Sequence, residues 1–150
     1  MTERIELTDG SLVIPIPAPC SLLNANGRRH WRVKARMVKA WRRAARAEAG
    51  VMPPCPTPVH VTIYVHRHHN RGYYDASNYA DTGKAVLDGI VDAGVLPDDR
   101  NAYVIGPDMR QGEPWPAGGV TVLLEPLPNP NAKPRLALVT IPTGDPLWTS

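Results

Sequence analysis

The stretch from Asp75 to Asp99, DASNYADTGKAVLDGIVDAGVLPDD, carries acids at both ends of one amphipathic segment and a single lysine, Lys84, inside it. Tyr79, Gly83, Val86, Leu87, Ile90 and Val91 recur at three- and four-residue steps, the spacing of one buried helical stripe. Ser77 or Asn78 is expected to cap the first turn, because a short polar side chain can accept from amides that lack a partner inside the helix. Gly94 suits the left-handed residue that closes a helix, and Pro97 prevents immediate re-entry. Asp98 and Asp99 then fall in a turn just beyond the helix. They can approach Asp75 only if the chain doubles back, and a metal ion is a natural reason for it to do so. The spacing of Asp88 from Lys84 offers an ordinary intrahelical ion pair, a role preferred to catalysis for both Asp88 and Asp92.

Working outward, the 150 residues suit one domain. Leu12–Ile16 is a short strand whose proline argues for an edge or a strand end. Residues before it form a polar lead-in or an edge extension. Asn26-Gly27 marks a turn. A second helix is predicted from Val33 to Ala49, with Val33, Met37, Trp41, Ala44 and Ala45 on one stripe and Gly50 ending it. Trp31 and Trp41 are read as core or rim residues rather than base-stacking platforms. After the connection MPPCPTP, Val59–Val65 alternates as a half-buried strand, with His60, Thr62, Tyr64 and His66 facing away from the core. Ala102–Gly106 and Val120–Glu125 are strands expected to pair as a hairpin across MRQGEPWPAGG. The predicted fold is α+β, a small mixed β-sheet packed with two main helices. Residues 1–125 form the domain and 126–150 a proline-rich tail.

The formal charge of +3 hides a segregation: nine of the seventeen Lys and Arg residues lie between Arg28 and Arg46, and no acid interrupts them. They are Arg28, Arg29, Arg32, Lys34, Arg36, Lys39, Arg42, Arg43 and Arg46, and so many unopposed cations suit a polyanion, which makes nucleic acid the expected partner. Arg67 and Arg71, in the loop HRHHNRGYY leading into Asp75, add phosphate contacts beside it. The histidines of that loop lack a second ligand pair for zinc. Cys20 and Cys55 are two reduced thiols, since they match neither a metal spacing nor a disulfide framework. No apolar run approaches the roughly 20 residues that cross a bilayer, and the N-terminus has no signal pattern. A soluble, cytoplasmic protein without membrane contact is expected.

At Asp75-Ala76-Ser77-Asn78, Lys84, Asp88-Gly89-Ile90 and Asp98-Asp99, together with IPIPAPCSLLNANGRRHW upstream, the chain resembles the RusA family of Holliday-junction resolvases. The resemblance covers residues 12–125 and implies a RusA-like dimeric fold. It also implies a Mg2+-dependent endonuclease, with Mn2+ as a second ion, that resolves four-way DNA junctions by paired symmetric nicks. A homodimer would match the symmetry of that substrate, and a phage gene acting in the host cytoplasm would be its usual setting. Asp75, Asp99 and Lys84 are the implied catalytic residues; Asp75, Asp98 and Asp99 are the implied metal ligands. Ser77 stands where the family has a second aspartate, and the gap from Asn78 to Lys84 is longer than in the shortest members. Asp81, one helical turn beyond Ser77, is the candidate to replace the missing carboxylate. Ser77 also keeps open a binder of branched DNA that has lost catalysis, and the same acids could serve a nuclease for other branched DNA or for RNA.

Overall fold

The computed structural model describes residues 10–69 and 72–128, together with the backbone of Ile5–Glu6. Its elements in chain order are β1 (Ile5–Glu6), β2 (Leu12–Pro17), α1 (Trp31–Ala49), β3 (Val59–His66), a short 3-10 turn (Ala76–Tyr79), α2 (Ala80–Asp92), β4 (Val104–Gln111) and β5 (Gly119–Pro126). The strands form one mixed sheet in the order β1-β2-β5-β3-β4. This is the expected small α+β fold with two main helices.

Both helices pack on one face of the sheet. Period-two alternation sends Leu12, Ile14 and Ile16 of β2, Val59, Val61 and Ile63 of β3, and Val120, Val122 and Leu124 of β5 into one core. Met37, Trp41, Ala45 and Ala49 of α1, four residues apart, meet that core together with Ala85, Val86, Leu87 and Ile90 of α2. Trp41 is fully buried and its indole Nε1 donates to the Ser21 carbonyl at 3.0 Å. The helices cross where α2 has Gly89: a Cβ there would lie 2.2 Å from the Arg42 carbonyl oxygen and 2.7 Å from Ala45 Cβ. Only a residue without a side chain permits that approach.

The chain beyond α2 corrects the expected hairpin. β4 pairs with β3, in parallel, whereas β5 inserts between β2 and β3 and is antiparallel to both. The reason is the connection: α2 is the crossover that a parallel β3–β4 pair requires, and it carries β4 to the far side of β3. β4 also runs on through Met109, Arg110 and Gln111, which read from sequence as connection. Gly106 and Pro107 disguise it. As the outer strand beside β3 it can hold a proline, and the register slips between His60 and Thr62 where Gly106, at φ +105°, lies against the Val61 carbonyl.

The other expectations need smaller adjustments. β1 pairs only with Leu12 and Val13, so Pro15 and Pro17 fall on a stretch of β2 that has no strand on that side among the described residues, as an edge proline should. α1 begins two residues earlier than predicted, with His30 as its cap: the imidazole Nδ1 accepts from the Arg32 amide at 3.2 Å. α2 ends as predicted at Gly94 (φ +81°). Gly94 N donates to the Val91 carbonyl and Val95 N to that of Ile90, the two bonds of a Schellman closure. The tail from 129 to 150 lies outside the described residues.

Candidate nucleic-acid site at the ends of the second helix

The start of α2 is capped one step earlier than its sequence suggests. Asp75, rather than Ser77 or Asn78, caps the 3-10 turn: its Oδ1 accepts from Ser77 N at 3.0 Å and from Ser77 Oγ at 2.6 Å. These two donations hold the exposed Asp75 carboxyl below its ordinary pKa. Ser77 is therefore a donor to Asp75 in this arrangement. Tyr79, at the boundary of α2, makes no side-chain cap bond.

At the other end the chain turns back as far as Lys84, but among the described residues it does not group Asp98 and Asp99 with Asp75 as one set of carboxylates. The Lys84 ammonium, one turn into α2, donates to Asp88 Oδ1 at 3.0 Å and also contacts Asp99 Oδ2. The bond to Asp99, and then that to Asp88, raise the lysine's pKa; the same contact lowers that of Asp99. Asp98 Oδ1 accepts from the Asp99 amide at 2.7 Å, and its other oxygen pairs with Arg100 at 2.6 Å. Lys84, Asp88, Asp98 and Asp99 thus form one charged cluster on the exposed side of the helix.

The basic helix lies alongside. Lys34 pairs with Asp81 at 2.9 Å, and Arg42 pairs in two-pronged fashion with Asp92 at 2.5 and 2.8 Å. The strand-to-helix loop is tied to the same region, since Ala25 N donates to the Asn78 carbonyl at 2.7 Å and Leu23 N to Thr82 Oγ1 at 2.8 Å. Two of the nine predicted nucleic-acid cations therefore also bind α1 to α2. Arg28, Arg29, Arg32, Arg36, Lys39, Arg43 and Arg46 are exposed. Arg67 lies with its guanidinium over the Tyr74 ring, 4.7 Å from the centroid; Arg71 is outside the described residues.

The acids supply hard oxygen donors, the type that magnesium takes. Their arrangement does not present a finished metal site, however: among the described residues no three His, Cys, Asp or Glu side chains are grouped to hold an ion. Asp99 is engaged by Lys84, Asp75 by Ser77, and Asp81 by Lys34.

Beside the 3-10 turn opens a cleft of about 470 Å³, with Cys20, Leu22 and Tyr79 among its apolar lining and Asn24, Arg67 and His68 among its polar lining. His66 borders it, and sequence reasoning missed its role. Placed at the end of β3 with the outward residues, it is nevertheless buried, stacked on Trp115 at 3.7 Å. Its Nδ1 lies 2.7 Å from the Glu113 carbonyl and its Nε2 2.7 Å from Thr121 Oγ1. A carbonyl only accepts, so Nδ1 carries the proton and Nε2 accepts a hydrogen bond from the Thr121 hydroxyl. Burial pushes this imidazole below its ordinary value.

Trp31 also departs from expectation. It is 67% exposed, whereas Trp41 lies in the core. Cys20 and Cys55 are free thiols, both raised in pKa by burial, Cys55 to about 11. Among the described residues no helix is long and apolar enough to cross a membrane. In comparisons with known proteins, the chain matches no family model and no curated protein.

Proposed function

We propose that the protein is a RusA-type endonuclease that resolves four-way DNA junctions as a homodimer, with Mg2+ or Mn2+ as its cofactor. The observation that carries this reading is the return of Asp98 and Asp99 onto Lys84 of α2, beside an exposed row of arginines and lysines. It assembles a cation and carboxylates where a phosphodiester could lie, next to a surface that attracts phosphates.

Phosphodiester hydrolysis needs an in-line water and positive charge on the non-bridging oxygens. Lys84 is a cation at neutral pH like any lysine, and its exposed ammonium, already set among carboxylates, can meet those oxygens. Asp75, whose carboxylate accepts two bonds from Ser77, and Asp98 and Asp99 are the proposed ligands of the divalent ion, which would supply Lewis-acid and water-activating chemistry when bound. Because Lys84 engages Asp99, ion binding requires the lysine to release that carboxylate. Asp81 is the least suited of the proposed ligands, since Lys34 holds it.

The test is cleavage of a labelled four-way junction with magnesium and with manganese, by the intact protein and by Asp75→Asn and Asp99→Asn. Paired nicks lost in both variants while junction binding persists are the expected result. The engagement of Asp75, Asp81 and Asp99 by Ser77, Lys34 and Lys84 favours a second reading, a branched-DNA-binding protein without catalysis. Tight, salt-sensitive binding with no nicks under either ion would establish that alternative.

A further inference from the structure

Among the described residues, the largest apolar side chain left in water is Trp31, at 67% exposure. It stands on the first turn of α1 and is braced from two directions. The His30 ring, fixed by its capping bond to the Arg32 amide, stacks beside the indole with centroids 5.7 Å apart. The Arg32 guanidinium lies over the indole, 5.1 Å from its centroid. An exposed indole that is nonetheless positioned by its neighbours is a preformed contact surface.

Two further facts say what fits it. The surroundings are cationic: Arg28, Arg29 and Arg32 are all exposed, and no acid occurs between Arg28 and Arg46. The place is next to the candidate site, because Trp31 is three residues from Lys34 and shares its side of the helix, and Lys34 pairs with Asp81 near the start of α2. A flat, partly apolar group on an anionic chain is the complement of a flat indole that carries a guanidinium and stands in a cationic stretch. That description fits a nucleobase. A base inside a continuous duplex has both faces covered, so the indole can stack only where a face is open.

We propose that Trp31, flanked by His30 and Arg32, is a stacking platform for an unpaired or branch-point nucleobase. It thereby favours branched over linear DNA. This rests on the nucleic-acid reading above. Stacking supplies selectivity while Arg28, Arg29 and the remaining basic face supply sequence-independent attraction.

The test uses the full chain and a four-way junction carrying 2-aminopurine at the branch point, with a linear duplex of the same length as control. The variants are Trp31→Phe, Trp31→Ala and Trp31→Lys, each checked for an unchanged thermal melt. Binding of the unaltered protein should change the 2-aminopurine emission. Trp31→Ala and Trp31→Lys should bind the junction roughly 5- to 150-fold more weakly, the span of one aromatic–base stack, while duplex affinity changes far less. Trp31→Phe should retain most of the preference. If all variants hold the junction as tightly as the unaltered protein and give the same emission, the platform is refuted and the nucleic-acid reading stands. If the unaltered protein binds neither DNA, both are refuted together.

Discussion

Ser77 stands where the resemblance leads one to expect a second carboxylate, and its hydroxyl and amide both donate to Asp75. Removing the hydroxyl in Ser77→Ala should therefore move the Asp75 titration upward, toward the ordinary carboxyl value, as followed by carbon-detected NMR. An unchanged midpoint would mean that the bond does not hold the charge. His66 gives the complementary case. Its folded pKa lies below its ordinary value of 6.5 because it is buried, a shift only partly opposed by Glu113. The unfolded chain then binds the extra proton more readily, so the stability due to neutral His66 is present above about pH 6.5 and is lost as pH falls toward the lowered value. Thermal melts between pH 7.5 and 5 should fall more steeply for the unaltered protein than for His66→Gln, although the variant starts lower. Neither role was legible from residues alone. Alternation placed His66 with the outward set, but the Trp115 ring that covers it comes from the distant connection before β5.

Whole elements were far more legible than their pairing. The helical spacings located α1 and α2, and the alternation of Val59, Val61, Ile63 and Val65 located β3, because buried clusters take those positions: the main core for most of them, and a smaller one with Ala76 and Tyr79 for Val65. β4 was cut short and mispaired, since Gly106-Pro107 looks like a strand end and nothing local in a sequence states whether a following helix will serve as a crossover. The short phrase Asp88-Gly89-Ile90 also has a meaning that only packing exposes. Gly89 is where the Arg42 carbonyl and Ala45 of α1 press on α2. Gly89→Ala should drive the helices apart at about 1–3 kcal/mol, lowering the melting temperature by roughly 3–10 °C. A melt equal to that of the unaltered protein would show that the crossing is looser than described. Trp41→Ala should be worse, at about 3–5 kcal/mol by chemical denaturation, since it opens a hole under α1 and strands the Ser21 carbonyl.

At the scale of the molecule, the separation of charge is the plainest message of the sequence, and the fold both uses and moderates it. Lys34 and Arg42 are paired with Asp81 and Asp92 across the two helices, leaving the other basic residues of α1 toward solvent. Junction affinity should fall linearly on a log–log plot against salt, with a slope set by the number of phosphates those residues meet. A flat response would remove the basic face from the interface. Sedimentation should give about twice the 16.4 kDa chain mass if two cuts are made by a symmetric pair; a monomer that still makes paired nicks would refute that assembly. The strand order has a consequence in time as well as in space. The centre of the sheet is filled by β5, the last strand described, which hydrogen-bonds to β2 on one side and β3 on the other. Until residue 126 has left the ribosome, β2 and β3 have no common neighbour to join them, and each presents a bare edge. The domain must therefore complete its core after nearly all of it has been synthesised, waiting on contacts far apart along the chain, which slows folding.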